Sequence, residues 1–414
     1  MNQPLAAPVR SRRAGLLGYR WFVLSWLAMA VSSVGSTLLL ASLSAFFVVK
    51  QGDFLASALV FAVPWLFPTV ASRWLARLSA GWPAVRRVPL VELSAGTMSV
   101  LTAVSASHGA AFVALGLLAV RGLPDTLTKM SRITIVATFP LDDALRRSAI
   151  YLFNTSYFLG SALGGVVGIA LYGRVTVLQL GLLDLATFAV SATLYWLVAR
   201  AAGSRRPAAG APAERVSVDW PHVVGLIRTS SAQAAAVFLV LATGLLQALM
   251  FASKAAIPGV VWHQPRFILL AQVIASAGVF VGALVALPIR RLFRSSNPPA
   301  VWGALLSSAL LAVAVLVRPG WELTFLASVV CFEVCFAVAQ ARLVEAVPGE
   351  HASVVVSRIN AIGICLMLLV TVGGGVAGAH GGFRVFACAV GAFVVAAAAV
   401  VALRWPERVP PEPA

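Results

Sequence analysis

The chain has 414 residues, of which 60% are hydrophobic and only 11% are charged, and its formal net charge is +17. Soluble globular proteins carry about 25% charged residues, so this composition excludes a soluble enzyme. It also excludes a nucleic-acid-binding protein, because basic proteins of that kind are rich in solvated charge. Disorder is excluded by the high hydrophobicity. The composition therefore predicts a polytopic membrane protein, in which the bilayer must explain the excess of basic residues.

Twelve apolar stretches are long enough to cross a bilayer, because a core about 30 Å thick needs roughly 20 helical residues at 1.5 Å each. They are 21–48, 54–76, 88–107, 109–128, 147–172, 176–199, 232–256, 266–289, 299–317, 322–343, 357–379 and 383–404. We therefore expect an all-α polytopic membrane protein with twelve transmembrane helices, here called the first to twelfth predicted spans.

Basic residues are distributed unevenly between the two faces that these spans define. With the N-terminus inside, 25 of the 31 basic residues fall at or near the cytoplasmic face and 6 on the other side. Cytoplasmic loops of membrane proteins carry the excess of Lys and Arg, so both termini are predicted to be cytoplasmic. The preference for Arg (28, against 3 Lys), with many Ala and Val, is typical of a GC-rich bacterium. These features predict a multi-pass protein of a bacterial inner membrane.

A polar segment at 201–229 separates the sixth predicted span from the seventh. Features of the first half recur in the second at a nearly constant offset, such as Arg86 and Arg87 with Arg290 and Arg291, 204 residues later. This pattern predicts a duplicated six-helix unit. The predicted domains are a cytoplasmic N-terminal segment (1–20), a six-helix lobe (21–200), a cytoplasmic linker (201–229), a second six-helix lobe (230–405) and a cytoplasmic tail (406–414).

Four stretches carry a family resemblance. They are PTVASRWLARLSAGWPAVRRV after the second span, RGLPDTLTKMSRITIVATFPLDDALRRSAIYLFN from the fourth to the fifth, LLDLATFAVSA in the sixth and VPGEHASVVVSRINA between the tenth and eleventh. With them the chain resembles the major facilitator superfamily, and most of all its branch of bacterial transmembrane secretion effectors, which includes drug and siderophore exporters. The resemblance implies two pseudo-symmetric lobes, a monomer and secondary-active export of a small organic molecule by alternating access, coupled to protons.

The first of these stretches matches only part of the superfamily's inner-loop signature, Gly-Asp-Arg-Gly-Arg-Arg. Arg73, Arg86 and Arg87 match its basic positions, which implies a gating role for them. Its acidic position has no equivalent, since Ala71 and Ser72 stand nearest to it. Orientation of the chain by positive charge is therefore an equally good interpretation of the three arginines.

Carboxylates inside the predicted spans are candidates for proton coupling. A charged side chain in a membrane costs roughly 2.5–3.5 kcal/mol on insertion scales and normally faces a cavity or a partner. Asp184 lies in the sixth span, Glu333 near the middle of the tenth, and Asp125 near the inner end of the fourth. Desolvation favours the protonated form of a carboxyl group, as an acid that alternates between proton and substrate requires. A hydrogen-bonded structural acid is the alternative for Asp184 and for Glu333.

Arg121, Asp125 and Lys129 are four residues apart in the fourth span and so share one helix face. Arg121 is similar in position to the arginine of the superfamily's drug–proton antiporter motif, which implies a part in proton coupling. Either Arg121 pairs with Asp125 along the helix, or it faces a central cavity, where it favours an anionic substrate.

Further polar residues are candidates to line the same cavity, with an interhelical hydrogen bond as the alternative for most of them. Lys254 is near the outer end of the seventh span, from which its side chain can also reach the interface. The other candidates are Ser36, Thr37, Gln247 and Gln272.

Glycines recur every four residues in three predicted spans, a spacing that lets helix backbones approach closely. The superfamily resemblance implies that the fifth span crosses the eighth and the second crosses the eleventh, between the lobes. We therefore predict interlobe packing at Gly160, Gly164 and Gly168 in the fifth span, Gly278 and Gly282 in the eighth, and Gly374 and Gly378 in the eleventh.

The chain contains no phosphate-binding loop, nucleophile elbow or zinc-binding helix motif, and its four cysteines lie inside predicted spans. We therefore expect no enzymatic activity, no cofactor, no metal and no nucleic-acid partner; the expected partners are the bilayer, protons and a small-molecule substrate. A lipid or amphiphile flippase, an uptake permease and a transport-dead sensor are the alternatives to an exporter.

Overall fold

The computed structural model describes residues 16–71, 74–75, 84–138, 143–202, 225, 231–264, 267–292, 297–347 and 349–404. Regular structure in these residues is helical. The helices are α1 (Arg20–Phe46), α2 (Phe54–Leu59), α3 (Leu66–Val70), α4 (Ala84–Ser107), α5 (Ala111–Thr138), α6 (Asp143–Leu171), α7 (Val177–Ala202), α8 (Ser231–Ala256), α9 (Ile268–Leu292), α10 (Pro298–Leu316), α11 (Trp321–Ala346), α12 (Gly349–Ala379) and α13 (Phe383–Arg404). Most of the predicted linker, most of the N-terminal segment and the whole tail lie outside the described residues.

Ten helices in the described part of the chain are long and apolar enough to cross a membrane. The predicted second span is not one of them, because it is divided between α2 and α3 by a 3-10 turn, Val63–Trp65, that contains Pro64. Proline has no N–H to donate and its ring clashes with the preceding turn, which breaks a continuous helix. In the predicted fifth span, the apolar part is the 16-residue segment Ser156–Leu171 of the longer α6.

Short connections make consecutive long helices antiparallel, so alternate connections lie at the same end of the molecule. We call the end away from the start of α1 the far end; at it, the Gln51 side chain donates to the carbonyl oxygen of Ala106 over 3.2 Å. The connections at the far end are 47–53, 108–110, 172–176, 257–264, 317–320 and 380–382.

Most packing joins helices from the same half of the chain. Helices α1, α4, α5, α6 and α7 pack together in the first half (residues 16–202), and α8 to α13 pack together in the second half (residues 231–404). Between the halves, the main contacts are those of α6 with α9 and of α2 with α12. This arrangement leaves space between the halves for a site.

Five of the glycines predicted to pack between the lobes instead face helices of their own half. A Cβ added at Gly160 or Gly164 would overlap backbone atoms of α1, and one at Gly278 or Gly282 would press against α11. At Gly374 the added atom would meet α8 and α13. The prediction of interlobe packing is wrong for these five. At each of them the absence of a side chain allows close packing with a helix of the same half.

Of the remaining two predicted glycines, Gly168 faces α9 of the other half, whereas Gly378 lies between Val260 of its own half and Phe54 on α2. Gly165 and Gly375, which the four-residue spacing did not select, lie at the same two crossings. A Cβ on Gly375 would stand 2.9 Å from the Cα of Leu55, so the backbones of α12 and α2 nearly touch. The close contacts between the halves therefore depend on glycine at both crossings.

Gly122 allows α5 to pack directly against the broken second span. A Cβ added there would overlap the carbonyl oxygen of Pro64, a backbone atom that cannot rotate away. We expect Gly122→Ala to lower the free energy of unfolding by about 1–3 kcal/mol, measured as a lower thermal transition of the purified protein in detergent.

The matched control is Gly116→Ala on the same helix, where nothing lies within 4 Å of the added Cβ. Alanine favours a helix over glycine, so this variant should keep or raise the transition. Equal losses in the two variants would show that the contact with Pro64 is not what limits the size of residue 122.

Candidate functional site

Two cavities with common walls lie between the halves. The larger has a volume of about 480 Å³ and is lined by both halves; the smaller, about 150 Å³, is lined mostly by the first. Cavities of roughly 300–1,000 Å³ are typical of small-molecule sites. The residues that line both are Trp65, Lys129, Arg132, Tyr157, Ser161, Phe251, Lys254 and Gln272.

Most of the predicted cavity residues line these spaces. Lys254 and Gln272 line both cavities, Gln247 lines the larger, and Ser36 and Thr37 line the smaller. The structure thus brings together residues of the first, seventh and eighth predicted spans.

Hydroxyl groups join the two halves beside the cavities. The Thr37 hydroxyl donates to Ser161 Oγ over 2.9 Å, and Ser161 Oγ lies 2.8 Å from Ser276 Oγ in the other half. Gln272 Nε2 donates to Ser276 Oγ on its own helix over 3.1 Å, and to Ser161 Oγ in the first half over 3.4 Å. Thr37 and Gln272 therefore form interhelical hydrogen bonds and line a cavity at the same time.

Arg121 is buried behind the cavities, with its side chain only 2% exposed, and connects three helices. Its Nη2 lies 3.2 Å from Asp184 Oδ2 on α7 and donates to Ser36 Oγ on α1 over 2.6 Å. Its Nε lies 3.8 Å from Asp125 Oδ2, one turn along α5. The guanidinium carbon also stands 5.3 Å from the ring centre of Phe188. One arginine thus interacts with two carboxylates and a hydroxyl.

Neither predicted role of Arg121, pairing with Asp125 or facing a central cavity, describes its contacts fully. The pair with Asp125 exists, but the shorter contact is with Asp184, whose side chain is 0% exposed. Arg121 lines neither cavity, so its prediction as a cavity residue is wrong: the guanidinium turns towards α7 and away from the space between the halves. Asp184 also lines neither cavity, whereas Asp125 lines the smaller one.

A second buried ion pair was missed by the sequence analysis. Arg132 Nη2 on α5 lies 3.2 Å from Glu92 Oε1 on α4, and Arg132 Nε donates to the Tyr195 hydroxyl on α7 over 2.8 Å. The Tyr195 hydroxyl lies within 3.4 Å of the Ser25 carbonyl oxygen on α1, to which it donates. The two carboxylates, Glu92 and Asp184, are thus each matched by one arginine of α5.

The missed pair has an identifiable cause. The fourth predicted span ends at residue 128, which leaves Arg132 outside it, and the third begins at 88, only four residues before Glu92. In the structure α5 continues to Thr138 and α4 starts at Ala84, which places both side chains inside the bundle. An acidic residue inside an apolar run was the available signal.

The predicted gating arginines differ in their surroundings. Arg87 is buried and donates to Ser131 Oγ on α5 from Nη2 (2.7 Å) and Nε (3.2 Å), while Arg86 is exposed. Arg73 lies outside the described residues. Arg87 therefore holds α4 against α5.

Two lysines present their ammonium groups to the cavities. Lys129 Nζ lies 4.5 Å from the ring centre of Trp65, and Lys254 Nζ lies 4.8 Å from that of Phe251 and 4.9 Å from that of Phe61. Within the described part of the chain, neither lysine has a carboxylate within ion-pair distance. Aromatic faces attract a cation, but they do not neutralise its charge.

Glu333 lines the larger cavity from α11. A Cβ added to Gly282 would stand 2.6 Å from the Cβ of Glu333, so glycine on α9 gives the acid its place beside that helix. Among the described residues no ion pair involves Glu333. The same residues contain no group of three or more His, Cys, Asp or Glu placed to hold a metal ion.

The space between the halves is closed at the far end. Ala45, Val48 and Ile268 form a buried apolar cluster there, with Phe54 packed against it. A Cβ on Gly259 would stand 3.4 Å from Val48, again across the two halves. In this conformation the far end is therefore a packed barrier.

No protein-family model matches the sequence, and no curated protein matches it significantly. Solved membrane transporters do match the structure over nearly its whole length. A bacterial homologue of the human lysosomal transporter Spinster, inward-facing and unoccupied, has a TM-score of 0.67 at 14% identity, over 92% of this chain and 96% of its own. The chain has the fold of the major facilitator transporters.

Two more solved structures share this major facilitator fold. A POT family transporter in complex with a thioalcohol-conjugated peptide has a TM-score of 0.74 at 13% identity, over 95% of this chain and 97% of its own. The nucleoside transporter NupG has a TM-score of 0.66 at 14% identity, over 94% of this chain and 99% of its own. These are structures of transporters, not of enzymes.

Proposed function

We propose that this chain is a secondary-active transporter of a small organic molecule, coupled to protons, that works by alternating access of two six-helix lobes in a bacterial inner membrane. The observation that carries the proposal is the cavity of about 480 Å³ between the halves, lined by Lys129, Lys254 and Glu333 and closed at the far end. The major facilitator fold supports it. Export is the direction that the sequence resemblance implies, and uptake is the alternative.

Glu333 is the coupling acid in this proposal. Asp184 and Asp125 share Arg121, and Glu92 pairs with Arg132, so each of these acids has an arginine within ion-pair distance. Glu333 lines the larger cavity without such a partner in the described residues. Its protonation therefore changes the net charge of the cavity directly, which is what coupling to a substrate requires.

Purified chain in liposomes loaded with the pH dye pyranine tests the proposal. The panel consists of alanylalanine, uridine, 2-naphthoate and ethidium, added outside in turn, with internal pH followed by fluorescence. We expect at least one compound to drive proton movement, and Glu333→Gln to reduce that rate at least tenfold. The sign of the pH change gives the direction of coupling.

The matched control is Glu345→Gln, an exposed acid on the same helix, which should leave the rate unchanged. Compound-driven proton movement that persists in Glu333→Gln would contradict the coupling role. Translocation of a fluorescent phospholipid in the same liposomes, without any compound-driven proton movement, would assign the chain to the flippases instead.

A further inference from the structure

Lysine is rare in this chain, yet two of its three lysines line the central cavities. The sequence has 31 basic residues, of which only Lys50, Lys129 and Lys254 are lysine. Lys50 is exposed near the far end, whereas Lys129 and Lys254 line both cavities. A lysine carries a compact ammonium group on a flexible four-carbon stem, which can follow a bound anion more freely than the rigid fork of arginine.

The two arginines nearest the cavities have acids within ion-pair distance, whereas these lysines have none among the described residues. Asp125, one turn from Lys129, lies 3.8 Å from Arg121. The ammonium groups of Lys129 and Lys254 instead lie over aromatic rings. A cation removed from water without a counter-ion is costly, so an anion that enters the cavity gains from both of them.

The rest of the larger cavity is mostly apolar. Helix α11 contributes Val329, Phe332 and Phe336 to its wall, and the last two rings are nearly stacked, with centres 5.9 Å apart and planes 29° apart. Helix α8 adds Met250 and Phe251. Such a wall suits a planar or aliphatic hydrocarbon body.

We propose that this cavity binds an organic anion, whose carboxylate, phosphate or sulfonate group is held by Lys129 and Lys254 and whose apolar body packs against the aromatic wall of α11. The inference rests on the transport function proposed above and names its substrate class. The ligand is either a soluble organic anion or the headgroup of an anionic lipid, since both offer the same chemistry to the two lysines.

Glu333 gives the binding a proton dependence. The ionisable side chains of the larger cavity are those of Lys129, Arg132, Tyr157, Lys254 and Glu333, and Arg132 is paired with an acid of α4. A charged Glu333 repels an anion in the same cavity, and a protonated Glu333 does not. The anion and the proton therefore bind together and move in the same direction, so an inward proton gradient drives uptake, the alternative direction given above. In the pyranine assay 2-naphthoate then carries protons in the same direction as itself.

Binding to the purified full chain in phosphatidylcholine nanodiscs tests the proposal by calorimetry. The probes are 2-naphthoate and 2-naphthylmethylammonium, which share a ring system and differ in the sign of their charge. We expect 2-naphthoate to bind at least about tenfold more tightly. Lys129→Met and Lys254→Met should each weaken it by about tenfold, and Glu333→Gln should strengthen it.

Lys50→Met is the matched control and should leave 2-naphthoate binding unchanged, while Lys129→Arg and Lys254→Arg should retain most of it. These arginine variants separate a lost charge from a lost fold. Equal or tighter binding of the ammonium probe, or unchanged 2-naphthoate binding in both methionine variants, would overturn the proposal.

Competition by an anionic lipid distinguishes a lipid headgroup from a soluble anion as the ligand. If the ligand is a lipid headgroup, phosphatidylglycerol in the nanodiscs should compete with 2-naphthoate in the wild type and not in the methionine variants; a soluble ligand gives no competition. Failure here is distinct from failure of the transport function. Proton-linked movement of ethidium without 2-naphthoate binding would refute the anion site alone, and 2-naphthoate binding without any proton-linked transport would refute the transport function alone.

Discussion

Arg121→Met is expected to lower the free energy of unfolding by about 3–5 kcal/mol, because it leaves a buried carboxylate without its cation. Asp184 has a fully buried side chain, and Arg121 Nη2 at 3.2 Å is the cation placed against it. The same change also removes the hydrogen bond from Arg121 to Ser36 on α1. The measurement is the thermal transition of the purified protein in detergent, together with the fraction that elutes as a single species.

The two acids near Arg121 provide an internal comparison. Asp125 is 32% exposed and 3.8 Å from Arg121, whereas Asp184 is buried and closer. Asp184→Asn should therefore cost more stability than Asp125→Asn, because the first leaves the buried guanidinium with only the more distant, partly exposed carboxylate, whereas the second leaves the closer pair of Arg121 with Asp184 intact. The double variant Arg121→Met with Asp184→Leu should recover part of the loss. A larger loss from Asp125→Asn would contradict the assignment of Asp184 as the main partner.

Hydropathy predicted the location of most helices because the membrane imposes a length and a composition on each of them. It located α8, α10, α11 and α13 to within a few residues. It did not predict the break at Pro64, since an apolar run containing one proline still reads as a span. Helix ends that extend past the apolar run, as α5 does to Thr138, were also missed, and Arg132 was misplaced with them.

The candidate site was predictable in its residues but not in its contacts. Arg121 and Asp125 are one turn apart, so their pairing follows from helix geometry alone. The contact of Arg121 with Asp184 joins residues 63 positions apart on different helices, and a single sequence holds no record of which faces meet. The same holds for the glycines. Their four-residue spacing indicates a helix face that allows close packing, but it does not identify the helix that packs there.

The polar contacts within the first half differ in kind from those between the halves. Inside the first half, buried arginines of α5 reach carboxylates on α4 and α7. Across the halves, the hydrogen bonds described above join neutral groups, and the helix crossings and the far-end cluster are apolar. Neutral hydrogen bonds contribute about 0.5–1.5 kcal/mol each and can be exchanged, whereas breaking a buried ion pair is far more costly. The first half should therefore move as one body while the contacts with the second half rearrange, as alternating access requires.

Arg132→Met is expected to cost about 3–5 kcal/mol of stability, because it breaks the other buried ion pair of the first half. Glu92, 1% exposed, would lose the cation that lies 3.2 Å from it. Tyr195→Phe removes the hydrogen bond from the charged Arg132 and the longer one to the Ser25 carbonyl oxygen, and should cost only about 1.5–3 kcal/mol.

Arg86→Met, at an exposed site on α4, is the control and should change the thermal transition little. Equal effects of Arg132→Met and Arg86→Met would show that the pair with Glu92 does not hold the half together. If adding Glu92→Leu to Arg132→Met restores stability, the cost of the single variant comes from the unpaired buried acid. Replacing both partners then leaves an apolar contact between α4 and α5 in place of the ion pair.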